Sequence, residues 1–532
     1  MTTEATASPP ETGEVGVHRH LGLALVLICV AQLMVVLDAT IANIALPYIG
    51  HDLHIAQANL SWVVTGYALT FGGLLLLGGR LGDLYGRRRL FMIGVSTFAI
   101  ASLLGGVAQN ELMLLGSRGL QGVGAAIASP TALSLITTMF PPGALRNRAF
   151  SVYAMMSGAG AAVGLILGGW LTGIDPSFGW RLTFLINVPI GLAAAALARP
   201  ILAESEPNTG ELDLPGAVTA TAGLLAIVFG LTHAGDQRYG WGDPWTMVSL
   251  VVGAVLLVAF VAIERRVEHP LLPFRVLANR TRATSFAVMM LVPAAMFAMF
   301  FFLSLFVQNV MGWTPLHTGF AFLPFSAGIV FAATVASKLM SHVDPRWLAG
   351  AGTAMSGAAL YGFSRMPYDA NLASPDFGVH AGYVSNLLPF IVLMSLGMGM
   401  TFVPLTVTAV HRVGARDTGV GSGVLNTMQQ VGGALGLATL STVAVHFAQT
   451  KGADLGKQVA ALANSAGTVP PDASTMQHLK ETITRVAFTE GATHAFLTGA
   501  LMIWLGTLIA LAFLNVKHTE MNTDEVPEGV VG

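Results

Sequence analysis

The chain has 532 residues, 54 % of them hydrophobic and only 10 % charged, with a mean hydropathy of +0.68. That balance excludes an ordinary soluble globule, in which about a quarter of residues are charged. The net charge of −2 carries no signature of a nucleic-acid partner, and a single cysteine, Cys29, excludes a disulfide framework or a cysteine-based metal cluster.

Residues 1–20 read as a polar, disordered cytoplasmic tail containing Pro9 and Pro10, with no cleavable signal peptide before the first apolar run. The runs that follow are long and continuous, unlike the alternating pattern of a β-barrel. Crossing ~30 Å of hydrocarbon takes ~20 helical residues. Spans are predicted at Leu21–Ile49, Leu60–Gly78, Leu90–Ala108, Leu112–Phe140, Ala149–Thr172, Leu182–Ala198, Leu214–Thr232, Trp245–Ile263, Ser285–Met311, Thr318–Leu339, Leu348–Phe363, Leu387–Val410, Val420–Phe447 and His494–Leu514. The fold class is therefore all-α integral membrane. Residues 21–199 form an N-terminal six-helix bundle. Residues 200–283 hold two inserted transmembrane helices and a basic linker. Residues 284–514 form a C-terminal six-helix bundle with a long extracytoplasmic loop at 449–490, and 515–532 are a C-terminal tail.

Cations collect in alternate connections: Arg80 and Arg87 to Arg89; Arg146 and Arg148; Arg199; Arg265, Arg266, Arg275, Arg280 and Arg282; Lys338 and Arg346; Arg412 and Arg416. Arg19 and Lys517 flank the termini on the same side. The other side holds Arg181, Arg238, Arg365 and a late group, Lys451, Lys457, Lys480 and Arg485, in one long loop, and long loops are exempt from the charge rule. The asymmetry predicts a multi-pass plasma-membrane protein with both termini cytoplasmic.

Asp38, in Leu37–Pro47, lies nine residues before Pro47, about 14 Å from a helix end placed there. A carboxylate at midmembrane depth is costly, so it serves either as a proton carrier or as a neutral acid bonded to a neighbouring helix; the carrier is the reading adopted. The turn Gly79 to Arg89 packs four arginines and Asp83 between two spans. The cations anchor it on the cytoplasmic side, while Gly79 and Gly86 permit close approach of helix ends and Asp83, with Arg87 and Arg88, can make a conformational latch. Arg118 is the base inside a span, and Asp38 is its candidate partner, directly or through water. A pair that rearranges would hand the carboxylate from the cation to a proton; a static ion pair or carbonyl clamp is the alternative.

Leu120–Gly124 leading to Pro130 is echoed by Leu396–Gly399 leading to Pro404, and each is followed by a glycine-rich helix, which implies two similar halves with a site between them. Gly160, Gly164 and Gly168, with Gly169, give a small-residue face for close helix contact, within the bundle or between copies. A run of methionines and phenylalanines including Met296 and Phe300 suits a cavity for varied apolar molecules, or simply faces lipid. Gln121, Asn187, Gln308, Asn426 and Gln430 are candidate polar groups of such a cavity. The histidines show no ligand spacing, so no metal site is predicted. No Gly-Lys-Ser/Thr phosphate loop is present, which points to an ion gradient as energy source, with no cofactor.

These segments resemble the major facilitator superfamily, and within it the fourteen-span drug:proton antiporters. Gly79–Arg89 is similar to the family's cytoplasmic latch, Leu37–Pro47 to the first-span signature of the fourteen-span branch, and Leu115–Ala126 to the fourth-span motif linked to proton transfer. Gly160–Gly169 resembles the fifth-span antiporter motif, except that Leu165 follows Gly164 where the family has proline. The resemblance implies two pseudo-symmetric six-helix bundles plus two extra helices. It further implies a monomeric, non-enzymatic exporter of an amphipathic small molecule across the lipid bilayer, exchanging it for protons through Asp38 and Arg118. An exporter of one endogenous metabolite or lipid is the alternative. Later spans carry no equivalent of the acids that recognise dicationic drugs, which argues against dications as cargo.

Overall fold

The computed structural model describes residues 13–141, 143–205, 211–411, 418–465 and 473–521. The N-terminal half runs through α1 (Gly13–Asp52), α2 (Trp62–Tyr85), α3 (Arg87–Gly106), α4 (Glu111–Met139) and α5 (Ala144–Gly173). It closes with a sixth crossing broken into α6 (Gly179–Leu185) and α7 (Asn187–Ile201). Two inserted helices follow, α8 (Leu214–Gly235) and α9 (Pro244–Glu264), and a linker carrying the short α10 (Phe274–Leu277). The C-terminal half begins with α11 (Arg280–Leu305), which runs on as a π-helical turn over Phe306–Val310. It continues through α12 (Pro315–Ala321), α13 (Leu323–Leu339), α14 (Pro345–Phe363), α15 (Leu388–Val410), α16 (Thr418–Ser465) and α17 (Ala473–Phe513), and α18 (His518–Met521) ends the described chain. A two-residue β-ladder, Tyr368–Asp369 with Gly378–Val379, sits in the α14–α15 connection.

Local chemistry sets several of these starts. Asn110 caps α4, Asp213 caps α8, Asp243 caps α9 and Asn279 caps α11, each side chain accepting a first-turn N–H. Pro215, Pro244 and Pro315 sit at the first or second helical position, where their missing N–H has no partner to lose.

Thirteen helices among the described residues are long and apolar enough to cross a membrane. The predicted fourteenth, α14, is rich in glycine and alanine and so less apolar, yet it packs along α15 and α17 like a full member of its half. The two halves repeat one packing scheme. In the first, α4 lies against α2 and α3, and α1 against α5; in the second, α15 lies against α13 and α14, and α11 against α16. Glycines make both versions close: Gly124 meets Phe98 and Gly94 of α3, while Gly397 meets Ser356 and Gly352 of α14. The inserted α8 packs on α2 and on α16, one helix from each half. Its partner α9 rests on α8 and turns Trp245, Val251, Val255 and Val258 outward.

Three expectations need correction. The first helix starts at Gly13, inside the expected tail, and continues through Pro47 to Asp52, so Asp38 lies about 21 Å from its end. A proline removes one backbone bond without having to end a helix that neighbours hold. The predicted loop 449–490 is helical on both sides, because α16 runs to Ser465 and α17 begins at Ala473. Those extensions are too polar to read as membrane helix but rich in Ala, Lys, Gln and Leu, all good helix formers. They are joined by Lys451 to Glu490 at 3.9 Å.

Candidate functional site: a buried ion-pair cluster above a cavity open at one end

Asp38 and Arg118 are 2 % and 1 % exposed and meet at 2.5 Å. Gln121, one turn along α4 from Arg118, donates to the other Asp38 oxygen at 2.9 Å and to Ser102 of α3 at 2.7 Å, while its own carbonyl accepts from Arg118 at 2.9 Å. Asn187, at the start of α7, donates to Asp38 at 3.2 Å. The Arg118 Nε donates to the Val63 carbonyl of α2 at 2.7 Å, and the guanidinium lies 4.5 Å from the Tyr67 ring centre. Five helices thus contribute to one cluster. Burying two ions costs several kcal/mol each, and only close pairing with further hydrogen bonds offsets that. The arrangement holds a carboxylate between a cation and two amides, with Tyr67 Oη and Asn187 Oδ1 buried beside it and hydrogen-bonded to nothing among the described residues.

The structure separates the other expected cavity residues. Gln121 and Asn187 belong to the Asp38 cluster. Gln308 is buried and donates to Ile44 of α1 at 3.1 Å. Phe300 packs on Phe322 and Phe325, with centroids 5.1 and 5.0 Å away, and Met296 packs against a buried apolar cluster drawn from both halves. Aromatic and thioether side chains fill such a core as readily as they line a pocket, so composition alone does not separate the two. Gln430 lies on α16 where it meets Gly72 of α2. Asn426 does line the cavity.

That cavity holds about 1370 Å³ and lies between α1, α2, α4 and α5 on one side and α16 and the 267–275 linker on the other. It reaches from Gln32, Tyr153 and Asn426 to Asp83 and Arg87, at the arginine-rich end of the molecule. At the opposite end the halves are shut. Ser304 of α11 donates to the Asn43 carbonyl of α1 at 2.8 Å. That carbonyl is the one freed by Pro47, four residues on, which has no N–H to offer it. Gly169 of α5 meets Pro315, and Gly319 meets Leu165, at the same seam.

The remaining glycines of the fifth-helix motif are used inside the bundle: Gly160 meets Leu33, Gly164 meets Thr40, and Gly168 approaches the Ile41 backbone. Three of the four therefore hold α5 against the helix that carries Asp38.

In the Gly79–Arg89 turn, Asp83 pairs with Arg87 at 2.9 Å across Gly86, whose φ of 96° favours glycine. The Arg87 guanidinium also reaches the Ser134 carbonyl of α4 at 3.5 Å. Arg88 pairs with Glu204 at 3.4 Å, and the Arg87 N–H donates to Ser205 at 3.0 Å. The turn thus ties α2, α3, α4 and the end of the N-terminal half together. Gly79 has more room than Gly78, which meets the Ala126 backbone, and Gly82, which meets Thr131. Sequence reasoning missed Glu204 and Ser205 because they lie over a hundred residues from their partners, in a segment with no motif of its own.

The profile described as Major Facilitator Superfamily matches residues 28–437. A puromycin resistance protein of Streptomyces alboniger is 42 % identical over 84 % of this chain and 86 % of its own length. A cephamycin export protein of Amycolatopsis lactamdurans is 38 % identical, over 83 % and 88 %. A tetracenomycin C resistance and export protein of Streptomyces glaucescens is 29 % identical over 99 % of this chain and 98 % of its own. Among solved structures, a bacterial homologue of the human lysosomal transporter Spinster, inward-facing and unoccupied, superposes with a TM-score of 0.65. It covers 96 % of this chain and 99 % of that one at 16 % identity, a likeness of fold.

Proposed function

The chain belongs to the Major Facilitator Superfamily, and on that premise we propose that it exports amphipathic drugs or secondary metabolites across the bacterial plasma membrane in exchange for protons. The cargo reading is supported by relatives named for resistance to, or export of, antibiotics and related metabolites. The coupling reading rests on one observation, the buried Asp38–Arg118 pair with its amide partners. With the arginine-rich connections and both termini cytoplasmic, the open cavity faces the cytoplasm and this conformation is the one that loads cargo. The halves then rock about the site, shutting the arginine-rich end and parting the Ser304–Asn43 seam. Asp38 takes a proton from the outer side as Arg118 draws away from it, keeping its carbonyl and ring contacts, and releases the proton inward when the pair re-forms. A monomer is sufficient, and the proton gradient replaces any cofactor.

The test joins a susceptibility panel, on cells with and without a protonophore, to proton flux triggered by a cargo pulse in proteoliposomes. Resistance that the protonophore abolishes, with flux against the cargo, is expected. Cargo movement that ignores the gradient would overturn coupling. A dedicated exporter of one metabolite is the second reading, favoured by relatives each named for a single compound; protection confined to one compound in the panel would select it.

A further inference from the structure

Four acids are buried among the described residues: Asp38, Asp213, Asp236 and Glu264. Asp38 is paired with Arg118, and Asp236 with Arg238. Asp213 and Glu264, 2 % and 3 % exposed, have no cation at ion-pair distance among the described residues. They face each other at the arginine-rich end of the inserted helices, their carboxyls within hydrogen-bonding reach. Asp213 caps α8, accepting the Gly216 N–H with Oδ1 at 2.7 Å. Glu264 ends α9 and accepts the Leu272 N–H with Oε2 at 3.0 Å. The two remaining oxygens, Asp213 Oδ2 and Glu264 Oε1, are both buried and both without a donor.

The charged groups nearby do not relieve this. Arg265 lies over the Phe274 ring at 5.5 Å. Glu211, Arg266, Glu268 and His269 flank the acids in sequence, and among the described residues none forms an ion pair with either. From α2, Asp83 is held by Arg87, and Arg80 lines the cavity; α16 carries its charges toward the other end. Two carboxylates in contact in a low dielectric cannot both be ionised. One proton between the two spare oxygens satisfies both.

We propose that Asp213 and Glu264 share a proton, forming a second proton-binding site that fastens the 267–275 linker across the mouth of the cavity. Glu264 holds that linker through the Leu272 N–H, and Val267, Glu268, Pro270, Leu271, Phe274 and Arg275 line the cavity wall. Losing the proton leaves two anions side by side at the junction of α8, α9 and the linker, and their repulsion loosens the fastening. The proposal is independent of the antiport reading, since its test needs no cargo.

The test uses the full chain in nanodiscs, in a Cys29→Ser background. Infrared spectra across a pH series should show a protonated carboxyl band near neutral pH that Glu264→Gln removes. Spin labels at His269→Cys and Thr137→Cys, on opposite walls of the cavity, should move apart as pH rises. Labelling position 269 also takes the linker histidine out of the titration. Asp213→Asn keeps a capping oxygen for the Gly216 N–H, so the fold is retained, and the label distance should stay at its low-pH value throughout. A wild-type spectrum without that band, a label distance indifferent to pH, or a pH response that persists in Asp213→Asn would each overturn the proposal.

Discussion

Replacing Asp38 with asparagine keeps the shape of the buried cluster and removes one charge, and the structure sets the cost. Arg118 stays 1 % exposed, still bonded to the Val63 carbonyl and Gln121 and still over the Tyr67 ring. Those contacts exist already, so none of them replaces the lost anion. Removing one partner of a buried pair costs about 3–5 kcal/mol, and because the asparagine oxygen can still accept from Arg118 the lower end, about 3 kcal/mol, is expected. Neutralising both sides, Asp38→Asn with Arg118→Leu, removes the stranded charge. The double variant should then lose less than the sum of the singles, with a coupling energy of about 2–3 kcal/mol. Denaturant unfolding in detergent, followed by tryptophan fluorescence, measures all four corners of the cycle. Cargo-pulsed proton flux in proteoliposomes, run alongside, should be absent in both Asp38→Asn and the double variant, while cargo binding survives in the former. Additive losses would refute the ion pair as an energetic unit. Intact coupled flux in Asp38→Asn would move the proton site elsewhere.

Asp83→Asn breaks a partly exposed pair with Arg87, worth about 0–1 kcal/mol, so melting should barely change while transport rate drops; wild-type efflux would reduce the turn to a topology anchor. Gly78→Val forces a side chain against the Ala126 backbone and should cost about 1–3 kcal/mol, read as reduced folded yield, whereas Gly79→Val, with only Pro130 at 3.6 Å, should be much milder. A tag inserted at Ala463 should be accessible from outside intact cells and tags at either terminus should not; the reverse labelling overturns the orientation and the direction of export.

Much of the architecture was legible because bilayer thickness imposes long apolar runs, and charged residues inside them stand out. Asp38 and Arg118 were found in this way, and their pairing followed from the cost of leaving either alone. The glycine spacing of Gly160, Gly164 and Gly168 announced a contact face, though not that α1 would occupy it. Neutral polar residues were harder to place. Gln121, Asn187 and Gln308 carry no charge that demands a named partner, so only the fold assigns two of them to the acid and one to the seam between halves. Hydropathy alone also ended the first span at Ile49 and turned the helical extensions after Phe447 into a loop, since it records affinity for lipid and is silent about polar helix.

The contact between Ser304 and the Asn43 carbonyl has a further consequence. Its acceptor is main chain, so the side chain at position 43 is not what the other half recognises. Recognition depends on the vertical register of α1: Pro47 must sit four residues beyond the carbonyl it leaves free, at the height of Ser304. Substitutions at Asn43 are therefore tolerated by this contact, while a one-residue insertion between 43 and 47 rotates the free acceptor away by about 100° of helix turn. Pro47→Ala gives the carbonyl back to its own helix, leaving Ser304 to compete for it, and the closed end becomes easier to part. A missing hydrogen inside one helix is in this way the address at which the opposite half docks.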